Sequence, residues 1–152
     1  MVRITFCGHH DAWGIDELRE KILTAIDDFV GNDTVEFWLG GYGAFDGFAM
    51  QCCKQYKEAH PSAKLLFVTP YLNPVYLESR DIMHNGYDGI VMPPIESTPP
   101  KYAILKRNEY MVDQSDLLIA YVNRGWGGAA KTLEYAVRKH KTYINLGTYK
   151  MC

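Results

Sequence analysis

The chain has 152 residues, 47% of them hydrophobic, and 16 Lys and Arg stand against 18 Asp and Glu for a formal net charge of −2. A chain of this length buries roughly 68–70% of the surface its unfolded form exposes, which excludes intrinsic disorder and a fold dependent on disulfides or metal. The near-even charge balance lacks the basic stripe that binds nucleic acid or an anionic membrane, so the expectation is no nucleic-acid partner, no membrane and a small ligand, an anion included.

No apolar run approaches the ~20 residues of a bilayer span, and the opening MVRITFCGHH has neither the h-region nor the cleavage site of a signal peptide. A cytoplasmic protein is expected. Cys7, Cys52, Cys53 and Cys152 form neither a disulfide framework nor a CxxC pair, and they read as buried thiols.

Taken in order, Val2 to Cys7 is a first strand, and Gly8 stands where a turn must begin. A helix follows from Asp16, read as its N-cap, with Leu18, Ile22, Leu23, Ile26, Phe29 and Val30 on one face and Gly31-Asn32-Asp33 as its stop. Val35 to Leu39 is strand two. After Gly40-Gly41-Tyr42-Gly43, the positions Phe45, Phe48, Ala49, Cys52, Cys53 and Tyr56 keep helical spacing until Pro61. Lys64 to Thr69 is strand three and Asp88 to Met92 strand four, while Tyr71 to Gly86 carries no decisive pattern. Lys101 to Gln114 is a helix, Asp116 to Val122 strand five, Gly128 to His140 a last helix, Thr142 to Leu146 a final strand, and Gly147 to Cys152 a surface tail. Strands alternating with helix-sized segments predict a single α/β domain over 1–152, a Rossmann-like three-layer sandwich on a mainly parallel sheet of about six strands.

In such a sheet ligands bind beyond the carboxyl ends of the strands, so those ends hold the candidate site. Gly8 lets the backbone pass close to a ligand, and His9 could donate to it or carry a proton near neutral pH. A metal reading of His9, His10 and Asp11 is weak, because adjacent histidines on a turn tend to diverge and no second cluster has ligand spacing, and no metal or cofactor is expected. Gly40, Gly41 and Gly43 precede a helix N-terminus, where backbone N–H groups and the helix dipole can cradle a phosphate; a tight turn is the other reading. Phe45 and Asp46 open that helix, Asp46 serving either the dipole or a ligand. Gly127-Gly128, with Thr132, repeats the arrangement after strand five. Thr69 closes strand three. Arg107, beside Asn108, could grip phosphate bidentately or lie on the surface. Two such glycine pairs on one sheet edge favour a phosphorylated or ribosylated ligand.

With Phe6-Cys7-Gly8-His9, Gly40-Gly41-Tyr42-Gly43-Ala44-Phe45-Asp46, Arg107-Asn108-Glu109-Tyr110-Met111, Asp116 and Gly127-Gly128 followed by Thr132-Leu133-Glu134, the chain resembles the SLOG superfamily. That Rossmann-like group unites the DNA-processing DprA/Smf proteins with the LOG proteins, and small stand-alone YpsA-like members look most alike. The resemblance implies a crevice that binds a nucleotide or nucleotide-derived ligand. In the LOG branch it implies hydrolysis of the N-glycosidic bond of a nucleoside 5′-monophosphate, with Arg107 and Glu134 in the catalytic positions. Trp126 replaces that branch's proline and Ala130 its third glycine. A non-catalytic nucleotide-metabolite sensor is the alternative, and a scaffold a third reading. The 11 Tyr, 6 Phe and 3 Trp, with the habit of LOG-type relatives to pair through helices, add the expectation of a homodimer.

Overall fold

The computed structural model describes residues 1–150. Six strands, β1 (Val2–Gly8), β2 (Val35–Leu39), β3 (Lys64–Val68), β4 (Gly89–Val91), β5 (Leu117–Tyr121) and β6 (Tyr143–Asn145), form one sheet in the order β4-β3-β2-β1-β5-β6. Every neighbouring pair is parallel, with Thr5 beside Trp38 and Gly8 beside Tyr121. The fold is therefore the expected Rossmann-like sandwich, and its strand order reverses between β1 and β5. That reversal opens a crevice at the carboxyl edge.

Strand alternation sorts the core into two layers. Ile4, Phe6, Phe37, Leu39, Leu65, Phe67, Leu117 and Ile119 face one side, where α1 (Arg19–Val30) and α2 (Gly43–Ala59) add Ile22, Ile26, Phe45, Ala49, Cys52 and Cys53. Ile82, Tyr87 and the partly buried Tyr76 extend this layer at α3 (Pro74–Arg80) and the turns after it. On the other side Cys7, Leu118, Ala120 and Val122 meet Val112 of α4 (Ala103–Gln114) and Ala130, Leu133 and Ala136 of α5 (Gly128–Arg138). Trp38, Val68 and Met111 make a smaller cluster there.

Several boundaries depart from expectation. Asp16 does not cap α1; it starts a single 3₁₀ turn, Asp16–Leu18, that leads into the helix without a side-chain cap. Within the undecided stretch, Asn73 caps α3, its Oδ1 accepting the Tyr76 N–H at 2.7 Å, and Pro74 takes the first helical position, where a missing N–H costs nothing. The expected surface tail is held at its start. Tyr149 N–H donates to the Val122 carbonyl at 3.0 Å, and the Asn145 amide donates to Val122 and Tyr149 carbonyls. Residues 151–152 lie outside the described residues, among which no helix is long and apolar enough to cross a membrane.

Of the aromatics behind the expected dimer, Phe37, Phe45 and Phe67 are fully buried, whereas Trp13, Tyr42, Tyr102 and Trp126 are exposed. These four stand on segments that follow strands or open helices, at the carboxyl edge of the sheet, whereas Tyr143, also exposed, begins β6 at the opposite edge.

Candidate functional site

The crevice at the reversal point has a volume of about 280 Å³. Cys7 and Gly8 of β1 and Gly40 after β2 meet at it. Phe6, His10, Tyr42 and Asp46, Ile104, Arg107, Asn108 and Met111 of α4, and Gly128, Ala129 and Thr132 of α5 complete its lining. Of the residues expected to bind ligand, Gly8, Gly40, Asp46, Arg107, Asn108, Gly128 and Thr132 thus share one cavity.

Arg107 organises it. Only 2% exposed, it donates from Nη1 to the carbonyls of Gly40, at 3.1 Å, and Val68, at 2.8 Å, tying the ends of β2 and β3 to α4. Its Nε donates to Asn108 Oδ1 at 2.8 Å. With Nη1 and Nε committed, Nη2 is the guanidinium nitrogen left for a ligand. The bidentate grip expected of Arg107 is therefore reduced to one free donor, supplemented by the Asn108 amide.

Asp46 faces the same space. Its Oδ2 accepts the Tyr42 N–H at 3.1 Å, and burial pushes its pKa up to about 6 against the pull of that hydrogen bond and of Arg107. Burial also drives the Cys7 thiol far above the ordinary range, with the charge of Asp46 adding to the effect, so this thiol is no nucleophile.

The two glycine-rich turns differ. At α2 the N–H groups of Ala44 and Phe45 donate to the carbonyls of His10 and His9, at 2.9 and 3.4 Å, and the Tyr42 N–H is taken by Asp46. The expected cradle at strand two is thus closed from within. At α5 no side chain caps Gly127, and the first-turn residues Gly128 and Ala129 line the crevice. The open anion-facing helix end is therefore that of α5.

Other expected site residues have structural work. A Cβ on Gly8 would collide with the Phe45 ring, which is fully buried and stacks on Tyr121 at 5.8 Å. Phe45 is core, and Gly8 makes room for it. Gly41 and Gly43 hold positive φ, with Phe67 and Arg80 packed against Gly41 and His10 against Gly43. Thr69 is fully buried, and its hydroxyl donates to the Tyr71 carbonyl at 2.6 Å, closing a turn. His9 Nε2 accepts the Asn123 N–H at 2.9 Å; burial and Arg124 lower its pKa, so it is neutral rather than a proton carrier. Gly127 precedes α5 at φ 93° and stands outside the crevice lining. Glu134, which the resemblance placed in a catalytic position, is the seventh residue of α5, in its second turn, and does not line the crevice. Asp116 lies at the opposite sheet edge, its carboxylate accepting the Arg3 N–H at 2.8 Å.

A second cavity was not foreseen. It lies across the β1 and β5 ends from the crevice, lined by His9, Asp11, Trp13, Tyr121, Asn123 and Arg124. Its sequence signal was an aromatic beside glycine in each strand-end loop, Trp13-Gly14 and Gly125-Trp126-Gly127.

Fold and crevice together define a Rossmann-like α/β protein. Solved structures that share this fold include two DNA-processing proteins. Over 97% of its length the chain matches DNA processing protein A from Helicobacter pylori, described as having a unique single-stranded DNA binding mode, with a TM-score of 0.63 and 17% identity. Over 95% it matches DprA from Streptococcus pneumoniae, with a TM-score of 0.64 and 12% identity. It spans 66% and 50% of those chains. In sequence it is 29% identical over 147 residues to the uncharacterized SPbeta prophage-derived protein YoqJ of Bacillus subtilis, covering 84% of this chain and 83% of that protein. No protein-family model matches.

These likenesses correct two expectations. The nucleotide-metabolite hydrolase or sensor gives way, because the structural counterparts are DNA-processing proteins and one is described as binding single-stranded DNA. The exclusion of nucleic acid falls with it. Net charge sums over the whole chain, whereas a strand meets only local donors and ring faces.

Proposed function

We propose that the chain binds single-stranded DNA across the carboxyl edge of its sheet. The observation that carries this reading is the ring pair at the mouth of the crevice. Tyr42 is 59% exposed, its ring centroid 6.1 Å from that of the exposed His10, and both residues line the crevice with Arg107. Ring faces open to water stack on unpaired bases of any sequence, while a duplex keeps its base faces to itself. In the same crevice, Arg107 Nη2, the Asn108 amide and the first N–H groups of α5 are donors suited to a phosphodiester. The H. pylori protein, described as a single-stranded DNA binder, lends support from the same fold.

Stacking is worth about 1–3 kcal/mol per base, so Tyr42→Ala should weaken binding of a labelled oligothymidylate roughly 5- to 150-fold by fluorescence anisotropy. Gly128→Val should weaken it as well, because the space around Gly128 is open and a side chain there intrudes only on the crevice. If both variants bind like the wild type, the crevice is not the site.

A further inference from the structure

Resting on that reading, we propose that the cavity between the β1–α1 and β5–α5 loops is a second subsite, which takes a nucleobase of the strand held by the crevice. It has a volume of about 310 Å³. Trp13 is 88% exposed and Trp126 is 66% exposed, the two most open aromatic rings among the described residues. A ring held in water with so little packing gains nothing from the core and is disposed for a flat partner.

The polar groups select the kind of partner. The Arg124 guanidinium lies 4.1 Å from the Trp126 ring centroid and donates to the Asp11 carboxylate at 3.1 and 3.4 Å. Its charge is matched, so the cavity has no excess cation for a phosphate. Arg124 Nε is closed off from solvent and has no partner among the described residues, a donor whose hydrogen bond is still to be made. His9 accepts through Nε2 and so carries its ring proton on Nδ1. Asp11, half-exposed, offers a carboxylate acceptor. A flat neutral group with donors and acceptors along its edge answers all of these, which describes a base.

Geometry connects the two cavities. His9 lines this one and His10 the crevice, yet they are consecutive residues, and Arg124 stands four residues before Gly128. A strand leaving the crevice therefore crosses only the crest of the β1 and β5 ends to reach Trp13.

The test uses oligothymidylates of two and six residues, with binding followed by anisotropy. Trp13→Ala and Arg124→Ala should each weaken the hexamer about tenfold and leave the dinucleotide unchanged. A hexamer abasic at its outer residues should lose the same factor with the wild-type protein and lose nothing further with Trp13→Ala. Variants that match the wild type on the hexamer, or that weaken the dinucleotide equally, overturn the subsite. Undiminished binding of the abasic hexamer also overturns it. If the wild type binds neither oligomer, the single-stranded DNA reading fails first and the subsite falls with it; if it binds the hexamer and the variants do too, the subsite alone fails.

Discussion

Asp46 occupies a place where its charge is costly. Its pKa rises from 3.8 in the unfolded chain to about 6 in the fold because burial outweighs the Tyr42 N–H and Arg107. The native state thus keeps a proton that the unfolded state releases between those values. This contribution to stability is complete below about pH 4 and is lost as pH rises through 6, by about 3 kcal/mol at most. Asp46→Asn keeps an acceptor for Tyr42 without the charge. It should exceed the wild type in urea stability at pH 8, by about 1–3 kcal/mol, and match it near pH 4. Equal stability at pH 8 would show that the carboxylate is not strained.

Arg107 was legible as a candidate because it stands in a helix before the fifth strand, but not its commitments. No sequence pattern reveals that a guanidinium will be drawn down onto carbonyls 39 and 67 residues away. Gly8 and Phe45 teach the same lesson. A glycine after a strand reads as room for a ligand, and here the room is filled by the chain's own ring.

Among the elements, strands and long helices were legible because their apolar positions repeat at two and 3.6 residues, and those periods survive packing. α3 was not, since seven residues with no buried side chain carry no periodicity. The Asn73-Pro74 pair was its only signal. That cap should matter: Asn73→Ala should cost about 1 kcal/mol, read as a lower urea midpoint with an unchanged slope. An unchanged midpoint would mean that α3 is held by Arg80, whose Nη2 donates to the Gly41 carbonyl at 2.6 Å, rather than by its cap. The difference between α2 and α5 was equally hidden. Both helices begin after glycines, and only the fold brings the His9 and His10 carbonyls onto one of them.

For the whole molecule, parallel pairing gathers every loop that follows a strand onto one edge, so exposed rings from residues 13, 42, 102 and 126 come to share a surface. The net charge of −2 then says little about what that surface binds. It does bear on how binding responds to salt. With Arg107 as the one buried cation of the crevice and Arg124 paired to Asp11, few counterions are released. One or two neutralised phosphates give a log–log salt slope of about −1 for a single strand. The most direct test is anisotropy of a labelled single-stranded DNA oligomer titrated with the wild-type protein, with the same oligomer annealed to its complement as the control. Saturable binding of the single strand, much weaker binding of the duplex and a salt slope near −1 are the expected results; no binding, or equal affinity for both forms, would contradict the assignment.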